Sequence, residues 1–369
     1  MSAALLSAPD EQAAVELLHE LGCTDGLPVI VPTPERVERM VLATGLDGGD
    51  VLGEMGPLMG AATVEKVATA MVMAGCLPDH APVVVAAIGA ICQPAFDLRE
   101  MQATTHCTAP LIIVNGPARH ACGGIASGFG ALGPGHRANA SIGRAVRLAM
   151  INIGGARPGE SDMALHGHPG KFTYCLAEDE EGSPFPPLHT SFGYSADRSA
   201  VTVVGAEAPH SVFFIGDGDD PEGSAEQLLG VLAATIAAPG TNNVVLGGVG
   251  SVIVVLNPDH TEVLAAAGYD RSGIQRRLAE LAVTPIDVAR RLHPRQFAHT
   301  TTDTVPAVRD PDRILVLQAG GTGLYSMVMP TWCAGAHRNQ AVHAEILLDQ
   351  ACEVPLVAAG TLGGDTLGP

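Results

Sequence analysis

Apolar residues fall at helical spacing from the start of the chain. Ala13, Val15, Leu17, Leu18 and Leu21 lie between Asp10 and Gly22 and predict a helix closed by that glycine. Val29 to Val31 predicts a short strand, and Thr33, Pro34, Glu35 and Glu38 predict the capped start of a helix behind it, a βα unit. Ala62 to Ala74, led by Thr63 and Glu65, predicts another helix, whereas Pro82 to Ile91 is apolar throughout and fits a buried strand or a helix equally. Leu111 to Val114 predicts a buried strand that ends in the turn Asn115-Gly116-Pro117. The glycine-rich loop from Gly123 to Gly135 then feeds a helix beginning near Asn139 or Ser141, and Tyr174 to Ala177 is a further apolar strand.

The second half continues the alternation. Strands are expected at Ala200 to Val204, Val244 to Leu246, Val252 to Leu256 and Ile314 to Gln318, with helices at Ala225 to Ala238, Thr261 to Ala267 and Ser272 to Leu281. Such alternation predicts α/β layers. APLIIVNGP in the first half and SVIVVLNPDH in the second each set a buried strand ahead of an Asn and a Pro. The expected architecture is two α/β lobes, 1–195 and 196–369, facing across a cleft; related topology of the two would explain the echo, although chance is the simpler source because such strand-turn segments are common.

Composition narrows the function. The chain has 369 residues, 47% hydrophobic, with 44 Gly and 27 Pro, and its formal charge is −19. That charge repels nucleic-acid backbones and anionic membranes, so neither is an expected partner. Without a long apolar run or a basic leader, the expected location is the cytoplasm, and an apolar-rich chain of this size is expected to form a homo-oligomer. Eight cysteines, at 23, 76, 92, 107, 122, 175, 333 and 352, form no CxxC pair, so reduced thiols are expected.

Chemistry concentrates between Gln102 and Lys171. His106 follows the polar QATT run and is a candidate for moving protons; its neighbour Cys107 reads as a buried thiol. Glu178, between an apolar strand and the rigid SPFPPLH turn, is a candidate general base, and His189 closes that turn. Asn115 at its turn, Arg137, Asn139 and Arg144 at the following helix, and Lys171 in HPGKF suit the positioning of a carboxylate-like group. Gly320 and Gly321, after the late strand, offer backbone amides to the same end. A metal reading from His166, His168, His189 and His210 with Glu178 or Asp162 lacks an HExxH helix, and no metal site is assigned. No motif specifies a cofactor, and no GxSxG elbow supports a serine hydrolase.

At TDGLPVIVPT, QATTH, PLIIVNGP, GPGHRANASIGRA, INIGGARPGE, PGKFTYCLAEDEE and SPFPPLH the chain resembles an uncharacterised bacterial family whose genes accompany small UGSC-motif thiol or selenol proteins. The resemblance runs from about residue 20 to 325 and implies an enzyme, or enzyme subunit, of lyase or thiol-linked redox type. It would make or break a carbon–heteroatom bond in a small anionic metabolite, with a thiol or selenol partner protein. The family's aromatic residue is replaced by His136 in GPGHRAN, and its Trp by Phe185 in SPFPPLH. Two alternatives are a metal-dependent lyase or hydrolase and a non-catalytic partner subunit.

Overall fold

A computed structural model describes residues 5–348. The chain opens with α1 (Glu11–Glu20), whose cap Asp10 accepts from the Ala13 amide, and α2 (Pro34–Thr44), capped by Thr33. Val29 to Val31 is extended but joins no sheet, because the Ile30 amide donates instead to Met73 of a neighbouring helix. A hairpin, β1 (Val51–Met55) and β2 (Gly60–Thr63), leads to α3 (Val64–Ala74), which ends at Gly75 with φ +81°. The ambiguous stretch is the helix α4 (Ala81–Ile91), apolar all round because it is enclosed by other elements on every side. After α5 (Leu98–Ala103) come β3 (Ala109–Asn115), α6 (Ala118–Ala121), α7 (Arg137–Asn152), β4 (Cys175–Ala177), β5 (Ala200–Ala206) and β6 (His210–Phe213).

The remainder runs α8 (Pro221–Ile236), α9 (Asn242–Val245), β7 (Val252–Leu256), α10 (Pro258–Ala266), α11 (Arg271–Leu281), β8 (Val283–Pro285), α12 (Ile286–Leu292), β9 (Thr304–Pro306), β10 (Ile314–Gln318), β11 (Tyr325–Pro330) and β12 (Val342–Glu345). The strand expected at Val244 to Leu246 is instead the end of α9, because the Thr241 side chain caps a helical turn by accepting from the Val244 amide. β8 and β9 form a separate two-stranded ribbon.

Two four-stranded sheets carry the core, in the orders β12-β5-β3-β4 and β10-β7-β11-β6. Side-chain alternation shows how they stack. In β3, Ile112 and Val114 join the core under α3, α4 and α7, while Leu111 and Ile113 join a central layer with Leu176, Val204, Ile253, Val255, Leu315, Leu317 and Met329. In β7, Val252, Val254 and Leu256 turn the other way, toward α8, α10 and α11. The protein is thus an α/β/β/α sandwich. Its sheets share a filled apolar layer, so their apposed faces form no cleft of the kind expected.

The sheets repeat one pattern: β3 has β4 parallel on one side and β5 antiparallel on the other, just as β7 has β10 and β11. Each half then gives its last strand to the other sheet. β6 leaves β5 and pairs with β11, and β12 crosses back to pair with β5. An Ala206↔Thr331 bridge joins the two central strands at the crossover. The sheets consequently do not divide at residue 195.

Burial at two histidines makes this packing acid-sensitive. Burial pushes His80 (1% exposed) and His343, whose ring stacks on Phe192, down to about 4. Between pH 6.5 and 4 the unfolded chain binds more protons at these sites, so stability falls as pH falls. His80 alone contributes roughly 3 kcal/mol across that window. Urea midpoints measured from pH 7 to 4.5 should therefore decline, and the decline should be shallower in His80→Gln; parallel curves would refute the assignment.

Candidate functional site

β3 is the ruler of the site. Its seven residues hold the two ends about 20 Å apart, with His106 before one end and Asn115 at the other. Glu178 follows β4, in parallel register with β3, and therefore lies at the Asn115 end. His106 and Glu178 cannot act together on one small substrate. The expected site residues separate accordingly.

At the Asn115 end charged groups pair with one another, while Asn115 Oδ1, His189 Nδ1 and Gln318 Oε1 are buried without a hydrogen-bond partner. The Glu178 carboxylate is wholly buried and accepts from Arg271 Nη2 of α11 at 2.9 Å, Asn115 Nδ2 at 2.5 Å and the Leu188 amide at 2.6 Å. Burial pushes it up to about 7, against the pull of Arg271. Glu180 accepts from Asn115 Nδ2 and the Gly116 amide, and Arg119 pairs with Glu180 and Glu181. Arg271 also donates to the carbonyls of Val316 and Pro186, so it ties the second half to the first. His189 is buried, with Nε2 3.2 Å from the Ser195 carbonyl. These groups hold the fold together and leave Glu178 no access to a substrate.

The other expected anion-binding groups are also engaged. Asn139 is 3% exposed and fixes the glycine loop through Ala126 and Ala131. The Arg137 guanidinium donates to the Gly75 carbonyl, and Arg144 grips Asp25 through two bonds of 2.8 Å. The Gly320 amide donates to the Ser127 carbonyl, and Gly321 lies against the Phe129 ring, which a Cβ there would overlap. The two glycine loops therefore close on each other.

The His106 end is different. His106 Nε2 sits 2.8 Å from Glu207 Oε1, while Nδ1 is out of solvent and has no hydrogen-bond partner. Glu207 follows β5, and Tyr174 Oη donates to its carbonyl. His168 packs edge-on against Tyr174, and burial, then Lys171, pushes its imidazole down to about 4. Asp162, 3% exposed, bridges Lys171 at 2.9 Å and Arg147 at 3.0 Å. Burial would raise that carboxyl, yet the two cations hold it below the usual range; burial also lowers Lys171. Arg147 Nη1 reaches Gln102 Oε1 at 3.4 Å, and the Met163 and Leu165 amides tie the Asp162 loop to Gln102 and Thr105. Glu207 also lines an open groove of about 1020 Å³ along α8, with His210, Val231, Ala234, Val328 and Pro330.

No family model, curated protein or solved structure matches the chain. The site therefore rests on its own geometry. Among the described residues no three His, Cys, Asp or Glu side chains stand close enough to hold a metal ion, and no single helix is long and apolar enough to cross a membrane. Of the expected residues, Asn115, Glu178 and the His189 turn gather at the closed end of β3, and His106 and Lys171 at the other. Glu207, Arg147 and Tyr174 are the ones the sequence reading missed. Their signal is an acid directly behind the fully buried strand AVTVVGA, and an Arg on the otherwise apolar face Val146 to Met150. Cys352 lies outside the described residues.

The buried pair at the Asn115 end has an asymmetric consequence. Arg271→Met leaves Glu178 and two carbonyls without their cation and should cost about 3–5 kcal/mol at neutral pH. Glu178→Gln should cost less, about 1–3 kcal/mol, because the amide keeps the shape and one acceptor oxygen although Arg271 loses its counter-charge. Urea unfolding of both variants decides this; an equal or larger loss in Glu178→Gln would contradict it. Between pH 4.5 and 7 the folded chain binds the extra proton at Glu178, so this residue's contribution falls as pH rises, opposite to the histidines.

Proposed function

We propose that the protein is an enzyme that moves a proton at a small anionic substrate while a carbon–heteroatom bond is made or broken, with His106 as the acid–base group. The observation that carries this reading is the His106 imidazole, held through Nε2 by Glu207 and unpartnered at Nδ1. A carboxylate on one ring nitrogen fixes the tautomer and stabilises the imidazolium that forms when the other nitrogen takes a proton. Leaving a buried nitrogen unpaired costs about 1–3 kcal/mol, which makes sense where a substrate supplies the partner. Lys171 and Arg147 share one carboxylate beside it and supply the positive potential an anion needs.

Thiol chemistry has little support at five of the cysteines. Burial drives the Cys76 and Cys175 thiols far upward, Cys122 and Cys333 up to about 12, and Cys92 up to about 11, so none of these five is a thiolate at neutral pH. Cys23 and Cys107 are only half-buried, so a sulfur or selenium nucleophile would come from one of these or from a partner protein.

The test is a panel of small hydroxy, amino and unsaturated carboxylates incubated with the full chain in D₂O and followed by NMR for solvent deuterium uptake or elimination. At least one should react. His106→Asn should lower that rate at least about 100-fold, Glu207→Gln should lower it and shift its pH profile, and Glu178→Gln should leave it near wild type. Full activity in His106→Asn would remove His106 from the mechanism.

A further inference from the structure

Between α7 and the start of β3 lies a cavity of about 10 Å³, room for one water-sized particle, lined by Gln102, Thr108, Val146, Arg147, Lys171 and Tyr174. Gly143 lets α7 come this close, since a Cβ there would overlap Thr173 and the Tyr174 amide. The Tyr174 and Thr108 hydroxyls are turned away, donating to the carbonyls of Glu207 and Ala206. What remains is a set of donors. Gln102 is 1% exposed, its Oε1 accepts from Arg147, and its Nε2 has no partner. Lys171 and Arg147 bring two positive charges to the single carboxylate of Asp162, while Glu207 is engaged with His106. Buried donors rarely stay unpaired, and a buried charge excess calls for a counter-charge.

We propose that this cavity binds one monoanion, either a free halide ion or a carboxylate oxygen of the substrate; the second source rests on the proton-transfer reading of His106. The occupant is an acceptor of single negative charge, taking N–H bonds from Gln102 Nε2 and from the two cations. Larger dianions such as sulfate are excluded by size. The site is distinct from the acid–base pair, yet close to it, because the Met163 and Leu165 amides bind the Asp162 loop to Gln102 and to Thr105, the neighbour of His106.

Thermal unfolding of the full chain in sodium gluconate, replaced stepwise by chloride or by formate at constant ionic strength, tests the proposal. A saturable rise in Tm of about 2–4 °C is expected. Chloride saturation identifies a free halide, confirmed by an anomalous bromide peak beside Gln102 in crystals; saturation by formate alone identifies the carboxylate source. Gln102→Leu and, if that variant fails to fold, Lys171→Met should abolish the rise. An identical, non-saturable response to all three salts, or an undiminished rise in both variants, overturns the site and leaves only a buried water. The deuterium assay of His106→Asn stands apart from this outcome, so failure of the anion site and failure of the proton-transfer reading are read separately.

Discussion

Everything in this fold depends on two sheets burying one face against each other and the other face against helices. Both faces of β3 and β7 are buried, so these strands read as continuous apolar runs. A layer made of Leu111, Ile113, Leu176, Ile253, Val255, Leu315, Leu317 and Met329 leaves no room for a ligand between the sheets. Chemistry is forced to the strand ends. The two ends of β3 have taken opposite courses, one closed by matched charges and the other carrying a histidine–carboxylate pair near two cations that share one acid.

The closed end explains why the acidic run looks catalytic in sequence. Glu178, Asp179, Glu180 and Glu181 sit beside Arg119, Arg271, Asn115 and Gln318, and each acid has a partner from an element distant in the chain. Arg271 alone spans a β-strand carbonyl, the polyproline turn and the Glu178 carboxylate. A charge that bridges two halves in a low-dielectric interior constrains geometry more than it stabilises it. The exchange of β6 and β12 works in the same direction, because neither sheet is complete without a strand from the other half.

Local signals in the sequence carried most helices and the central strands. The caps at Asp10 and Thr33, the glycine stop at Gly75 and the runs at Leu111, Val252 and Ile314 act through neighbours in the chain and so can be read there. Val244 to Leu246 misled because β-branched composition competes with a Thr cap that only the fold reveals. The α/β class followed from the alternation; the sandwich did not, since the exchange of last strands leaves no mark on periodicity. In the site, His106 was legible because it follows a polar run and Lys171 because it sits in a glycine-rich turn. Glu207 and Arg147 were not, because their importance comes from partners 101 and 15 residues away in the chain, His106 and Asp162.

The account stands on the state of one imidazole. Nitrogen-resolved NMR of the histidine rings in the full chain, with His106 assigned by its Asn variant, reads that state directly. The geometry predicts a proton on Nε2, facing Glu207, an unprotonated Nδ1, and a shift of the Nδ1 signal when a small carboxylate is added. A proton resident on Nδ1, with no response to any small carboxylate, would contradict it.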